Sequence, residues 1–171
     1  AREDPRATCS GGSGGTVGGG GTAPPSLTWG SNLRRRLRPA ATLRAHRGAT
    51  SAARVSLQAQ GGAGAVYSAG RDATVKVFSL RGGVQTRSSR VGDLPLACLE
   101  LSRQPVGQGG HPILFLGSYD NSISAYSVEY GAVISNFVAH DDTVSSLAVL
   151  DGGRLVSAGW DGAVRLWDVA A

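Results

Sequence analysis

Past His46 the chain shows no 3.6-residue apolar period longer than a turn or two. Apolar and polar positions instead alternate in short runs, each bounded by Gly, Asp, Asn or Ser. That pattern predicts strands joined by tight turns. Three blocks align beneath one another: AVYSAGRDATVKVFSL (Ala65–Leu80), ILFLGSYDNSISAYSV (Ile113–Val128) and RLVSAGWDGAVRLWDV (Arg154–Val169). In each, an apolar strand runs into small residues, then an Asp, a turn and a second alternating strand. The aspartates are Asp72, Asp120 and Asp161, spaced by 48 and 41 residues. Six residues after each stands an aromatic: Phe78, Tyr126 or Trp167.

The segments between the blocks supply further strands. Leu96–Ser102 and Val144–Leu150 each precede a block as an innermost strand, whereas Ala40–Ala45, Val84–Val91 and Val133–Ala139 read as outermost strands. A unit of four strands recurring every 40 to 50 residues or so marks the blades of a propeller. The predicted fold is therefore all-β, a partial β-propeller of about three four-stranded blades over residues 40–80, 84–129 and 133–169. A closed ring takes roughly four to eight blades, so an incomplete propeller with open, association-prone edges is expected.

Composition separates the leader from this region. Residues 1–39 are rich in Gly, Ser, Thr, Pro and Arg, including GGSGGTVGGGG from Gly11 to Gly21, and are expected to be disordered. Up to Thr50, eight Arg face only Glu3 and Asp4, while from Ser51 onward nine basic residues face ten acidic ones. The basicity thus belongs to the leader, which argues against a specific nucleic-acid-binding domain. Two cysteines, Cys9 and Cys98, make no disulfide framework and point to a reducing compartment, with Cys98 an inert thiol in an apolar strand. No apolar run reaches the length of a membrane span, and no secretory signal is present. The absence of Met, even at position 1, gives the expectation of a fragment of a longer protein.

Several chemical readings fall away. The Gly-rich run lacks Gly-Lys-Ser/Thr and a strand-turn-helix setting, so no phosphate loop is predicted. His140–Asp142 has no second ligand cluster beside it to make a metal site. Arg34–Arg38 reads as solvated linker charge, with binding of a polyanion as the alternative. No cofactor is predicted.

The stretch AHDDTVSSLAVLDGGRLVSAGWDGAVRLWDV (Ala139–Val169) resembles a WD repeat, whose unit opens with a His after the outer strand and closes with Trp-Asp. Ala139 stands where that family usually has Gly. The resemblance covers about three-quarters of the chain, strongly in the last repeat and weakly in the others. It implies that His140, Ser157, Asp161 and Trp167 form a buried hydrogen-bonded tetrad that locks strand register. A hydrolase triad of Ser157, His140 and Asp161 is the rival reading, but there is no Gly-x-Ser-x-Gly elbow and Trp167 accounts for the Ser without chemistry. The first repeat keeps His46, Ser68 and Asp72 but has Phe78 for Trp. The middle repeat keeps only Asp120, with Leu116 at the Ser position, Tyr126 at the Trp position and Gly92 or its neighbour at the His position.

The resemblance also implies a protein-binding face. The residue before the tetrad Asp and those three and five after the His often line it; here these are Arg71, Tyr119 and Trp160, with Thr143 and Ser145. Arg, Tyr and Trp are the residue types enriched in interface hot spots. The plainer alternative is that each fills a gap between blades. The resemblance thus implies a non-enzymatic scaffold for proteins or peptides. More narrowly, LGSYDNSISAYSVEYG (Leu116–Gly131) followed by AHDDTVSSL resembles the C-terminal propeller of the BEACH–WD-repeat family, with SLTWGSN (Ser26–Asn32) as a trace of an earlier repeat. That family implies a cytoplasmic adaptor with an upstream BEACH domain, peripheral at membranes, in trafficking or receptor-to-sphingomyelinase signalling.

Overall fold

The computed structural model describes residues 41–57, 59, 62–102, 112–150 and 153–169. Ala40, the leader 1–39, the trace Ser26–Asn32 and the basic run Arg34–Arg38 lie outside the described residues. Eleven strands run through the described part. They are β1 (Thr50–Ser56), β2 (Ala65–Gly70), β3 (Thr74–Ser79), β4 (Gln85–Arg90), β5 (Leu96–Leu101), β6 (Ile113–Ser118), β7 (Ser122–Ser127), β8 (Ala132–Val138), β9 (Val144–Leu150), β10 (Arg154–Gly159) and β11 (Val164–Asp168).

All pairings are antiparallel between chain neighbours. They build three sheets, β1-β2-β3-β4, β5-β6-β7-β8 and β9-β10-β11. Each predicted outer strand therefore closes the sheet of the repeat before it: β4 pairs with β3, and β8 with β7. Two expectations are corrected by this. Ala41–Ala45 is not a strand, because no earlier third strand lies among the described residues for it to pair with. The last sheet has three strands, because its expected outer strand, β8, pairs with β7 instead, leaving β11 at its edge.

Each turn between a second and third strand is built around its Asp. Oδ1 of Asp72, Asp120 and Asp161 accepts the backbone N–H of Thr74, Ser122 and Ala163 at 3.2, 3.0 and 3.0 Å. The residue between takes a left-handed backbone, Ala73 at φ 59°, Asn121 at 68° and Gly162 at 78°. Asp suits this turn because its short carboxylate mimics the backbone carbonyl of a tight turn.

Side-chain alternation then sorts residues onto two faces. Tyr67, Val75, Val77, Leu96, Leu99, Leu114, Leu116, Tyr126 and Val128 pack in one cluster. Cys98, Phe115, Ile123, Ala139, Val144, Leu147 and Leu155 pack in a second, with Trp167 against it. Leu114 and Leu116 face the first cluster and the intervening Phe115 the second, so the middle sheet is buried on both sides. Burial of each such side chain contributes roughly 1.5–3 kcal/mol. The far face of the last sheet is open instead, with Val164 73% and Leu166 59% exposed. The innermost strands β1, β5 and β9 lie side by side, and Arg54 of β1 pairs with Glu100 of β5 at 3.0 Å.

Candidate functional site

The last sheet holds its polar residues in a single hydrogen-bonded line. Trp167 Nε1–H donates to Ser157 Oγ at 2.9 Å, and Ser157 stands 2.7 Å from His140 Nε2. His140 Nδ1 lies 3.0 and 2.9 Å from the two Asp161 oxygens. Because a carboxylate only accepts, the imidazole proton sits on Nδ1, Nε2 accepts the Ser157 hydroxyl proton, and the Ser oxygen accepts from the indole. Every donor finds an acceptor and the line runs one way. Asp161 also takes the backbone N–H of Asp141 at 3.1 Å. The Ala163 N–H bond leads in holding its pKa down to about 2, ahead of the Asp141 N–H and His140.

The first sheet repeats this with one link missing. Ser68 Oγ lies 2.9 Å from His46 Nε2, and His46 Nδ1 lies 2.9 Å from Asp72 Oδ1. Phe78 is buried at the Trp position and has no N–H to offer Ser68. Thr74, which sequence reasoning did not single out, adds its hydroxyl to Asp72 at 2.7 Å. Burial opposes ionisation of Asp72, but the Thr74 hydroxyl, the Arg47 N–H and His46 outweigh it and hold the carboxyl well below the usual range.

The middle sheet has a different solution. Strand β5 starts four residues after Gly92, as β9 starts four after His140, which puts Gly92 at the His position. In the flanking sheets a Cβ on Gly70 or Gly159 would stand 2.3 or 2.4 Å from the His Nδ1, so the ring occupies the space a side chain would need. The matching residue here is Ser118, whose hydroxyl donates to Pro95 O at 3.3 Å and accepts the Asp120 N–H at 3.3 Å. His and Gly have been exchanged for Gly and Ser. Leu116 is buried in the apolar cluster, and Tyr126 donates its hydroxyl to Ser89 of β4 at 2.7 Å.

At the turn end of the sheets, Arg71, Tyr119, Thr143, Ser145 and Trp160 line one cavity of about 290 Å³. They are joined there by Ala49, Ser51 and Ala97. Arg71 lies 5.5 Å from the Tyr119 ring centroid, and Tyr119 meets Trp160 edge-on at 5.7 Å and 77°. One backbone bond recurs beneath each: Arg71 N–H to Ala49 O, Tyr119 N–H to Pro95 O and Trp160 N–H to Thr143 O, at 2.9, 3.1 and 2.9 Å. Trp160 touches Tyr119 of the neighbouring sheet and is still 62% exposed.

The lining residues five after the His position are turned into the cavity by a bulge. Each innermost strand carries a register shift near its start, between Thr50 and Ala52, between Leu96 and Cys98, and opposite Ala158 and Gly159. The unpaired residue is Ser51, Ala97 or Ser145, and each lines the cavity. A bulge re-aims the extra side chain out of the strand's alternation. Applying the offsets of three and five to His46 and Gly92 would have found Ala49, Ser51 and Ala97.

Residues 131–168 match the family model described as WD domain, G-beta repeat. Two solved structures share the arrangement of the sheets, "Structure of U3-55K" and "Crystal structure of RRP9 WD40 repeats", each at TM-score 0.63 and 23% identity. The match takes in 75% of this chain and 38% of either one, so this chain spans well under half their length. The fold is a partial WD-repeat β-propeller. The three sheets are its blades, and the cavity lies where the turn ends of all three WD-type blades meet.

Proposed function

We propose that this chain is a non-enzymatic scaffold that docks proteins or peptides on the face formed by Arg71, Tyr119, Thr143, Ser145 and Trp160. One observation carries the reading: residues from three separate blades converge on one cavity, with an exposed Trp and Arg at its rim. Such side chains supply contact energy when a partner removes them from water. Catalysis by Ser157 is disfavoured by its surroundings. It is fully buried, its proton is committed to His140, and its oxygen accepts from Trp167.

The test compares proteins captured by the wild-type chain with those captured by W160A. Loss of specific captured bands, with circular dichroism and melting unchanged, supports the face; an identical captured set refutes it.

This broad reading, a WD-repeat scaffold subunit, has the support of the repeat-model match and the shared fold. The narrower one is a BEACH-type adaptor, cytoplasmic and peripheral at membranes, with an upstream BEACH domain. It rests on the resemblance of Leu116–Gly131 and Ala139–Leu147, most like the factor associated with neutral sphingomyelinase activation. Finding a BEACH domain encoded immediately upstream decides for it. Polyanion binding through Arg34–Arg38 is tested separately by deleting residues 1–39 and following affinity against salt.

A further inference from the structure

We infer that the cavity selects a peptide carrying a carboxylate next to a large apolar side chain, the carboxylate meeting Arg71 and the apolar group Trp160. The inference rests on the docking face proposed above and adds the chemistry of its ligand.

Among the described residues lining the cavity, Arg71 is the only charged one. Its guanidinium lies over Tyr119 and reaches the Tyr119 hydroxyl at 3.5 Å, and among the described residues it forms no ion pair. The carboxylate nearest in sequence is already engaged, since Asp72 is bonded by His46, Thr74 and the Arg47 N–H. The contact with the Tyr119 ring and hydroxyl holds the guanidinium at the cavity, and of its five N–H donors only one has a partner among the described residues. A planar fork of that kind matches a carboxylate in two-point contact.

A cationic ligand is opposed at the Arg71 end by the same geometry. An ammonium group seeking the aromatic surface finds the Tyr119 face taken by a like charge. Nucleic acid needs several cations along a track, and the described lining of this cavity has one. At the other end stands Trp160, its ring steadied edge-on by Tyr119 and its surface largely open to water. Asp142, whose Oδ1 accepts the Thr143 N–H at 2.6 Å, adds negative charge on that side. The acid is therefore accepted at the Arg71 end alone. Small residues at Ala49, Ser51 and Ala97 leave about 290 Å³, near the lower end of ligand pockets and enough for one or two side chains.

The experiment measures fluorescence polarisation with the full chain and labelled peptides on a Gly/Ser background. Each peptide has one Leu or Trp beside a Glu, Gln or Lys, with amidated C-termini; a parallel set has free C-termini and no Glu. Glu peptides are expected to bind about tenfold tighter than their Gln and Lys counterparts, the scale of one charge-assisted contact. R71Q should bring Glu, Gln and Lys peptides to a common affinity, erasing the acid preference, while W160A weakens all three and keeps the preference. Preference for the free C-terminus over Glu, lost in R71Q, supports the same carboxylate site with a chain end as its source. Binding without acid preference, or a preference that survives R71Q, overturns the inference while W160A-sensitive binding keeps the docking face. Absence of any peptide binding also overturns it, and the capture comparison with W160A then decides the face independently.

Discussion

Trp167 Nε1 lies 2.9 Å from the Oγ of Ser157, so an indole on the edge strand β11 is tied to a fully buried hydroxyl on β10. The bond matters beyond its own strength because Ser157 also holds His140, and His140 holds the turn carboxylate Asp161. Sliding β11 by one residue would turn Trp167 to the opposite face and orphan the hydroxyl at once.

Substitutions at the two serines separate the complete line from the incomplete one. S157A leaves two groups without partners, the half-buried Trp167 N–H and the buried His140 Nε2, whereas S68A leaves only His46 Nε2. With about 1–3 kcal/mol for each orphaned group, S157A is expected to cost roughly twice as much as S68A. Urea denaturation of both variants checks this; equal losses would show that the indole bond adds nothing.

The exchange in the middle blade predicts a coupled pair. G92H alone should destabilise, because its ring enters the space that Ser118 occupies, as the approach of the His rings to Gly70 and Gly159 shows. Adding S118G opens that space and brings the imidazole within reach of Asp120. A double-mutant cycle should give a favourable coupling of about 1 kcal/mol or more. Additive effects would mean that the two positions do not share a site.

Acid stability should follow the tetrad carboxylates. Asp72 and Asp161 both have pKa values lowered by the native structure, Asp161 to about 2. A group with a depressed folded pKa contributes stability fully present above its unfolded value and lost as pH falls through the folded one. The chain should therefore lose stability below about pH 4, continuing to about pH 2. D161N should flatten that part of the melting-temperature profile; an unchanged slope would place the acid sensitivity elsewhere.

Cys98 offers a check on the packing between the middle and last blades. Its Sγ donates to Val144 O at 3.4 Å, and burial pushes the thiol up to about 12. In a C9S background it should resist iodoacetamide at pH 8 and react fully once urea unfolds the chain. Labelling in the native state at the rate of a free thiol would mean that the blades part.

What the linear chain already determined is local. Alternation with period two places strands, and an Asp followed six residues later by an aromatic marks the turn and its third strand. Both follow from rules that act over a few residues. Hence Asp72, Asp120 and Asp161 and the aromatics six residues on could be found without coordinates, while their His and Ser partners were named by the resemblance to a WD repeat. Tertiary structure alone decided the rest. Whether an outer strand forms depends on a neighbour to pair with, so β4 and β8 exist and Ala41–Ala45 stays unpaired. The bulges at Ser51, Ala97 and Ser145 arise from mismatch between two ladders, which neither strand encodes by itself. The contact of Arg71 with Tyr119, and of Tyr119 with Trp160, joins turns from three blades, and only the packing of blade against blade brings them together.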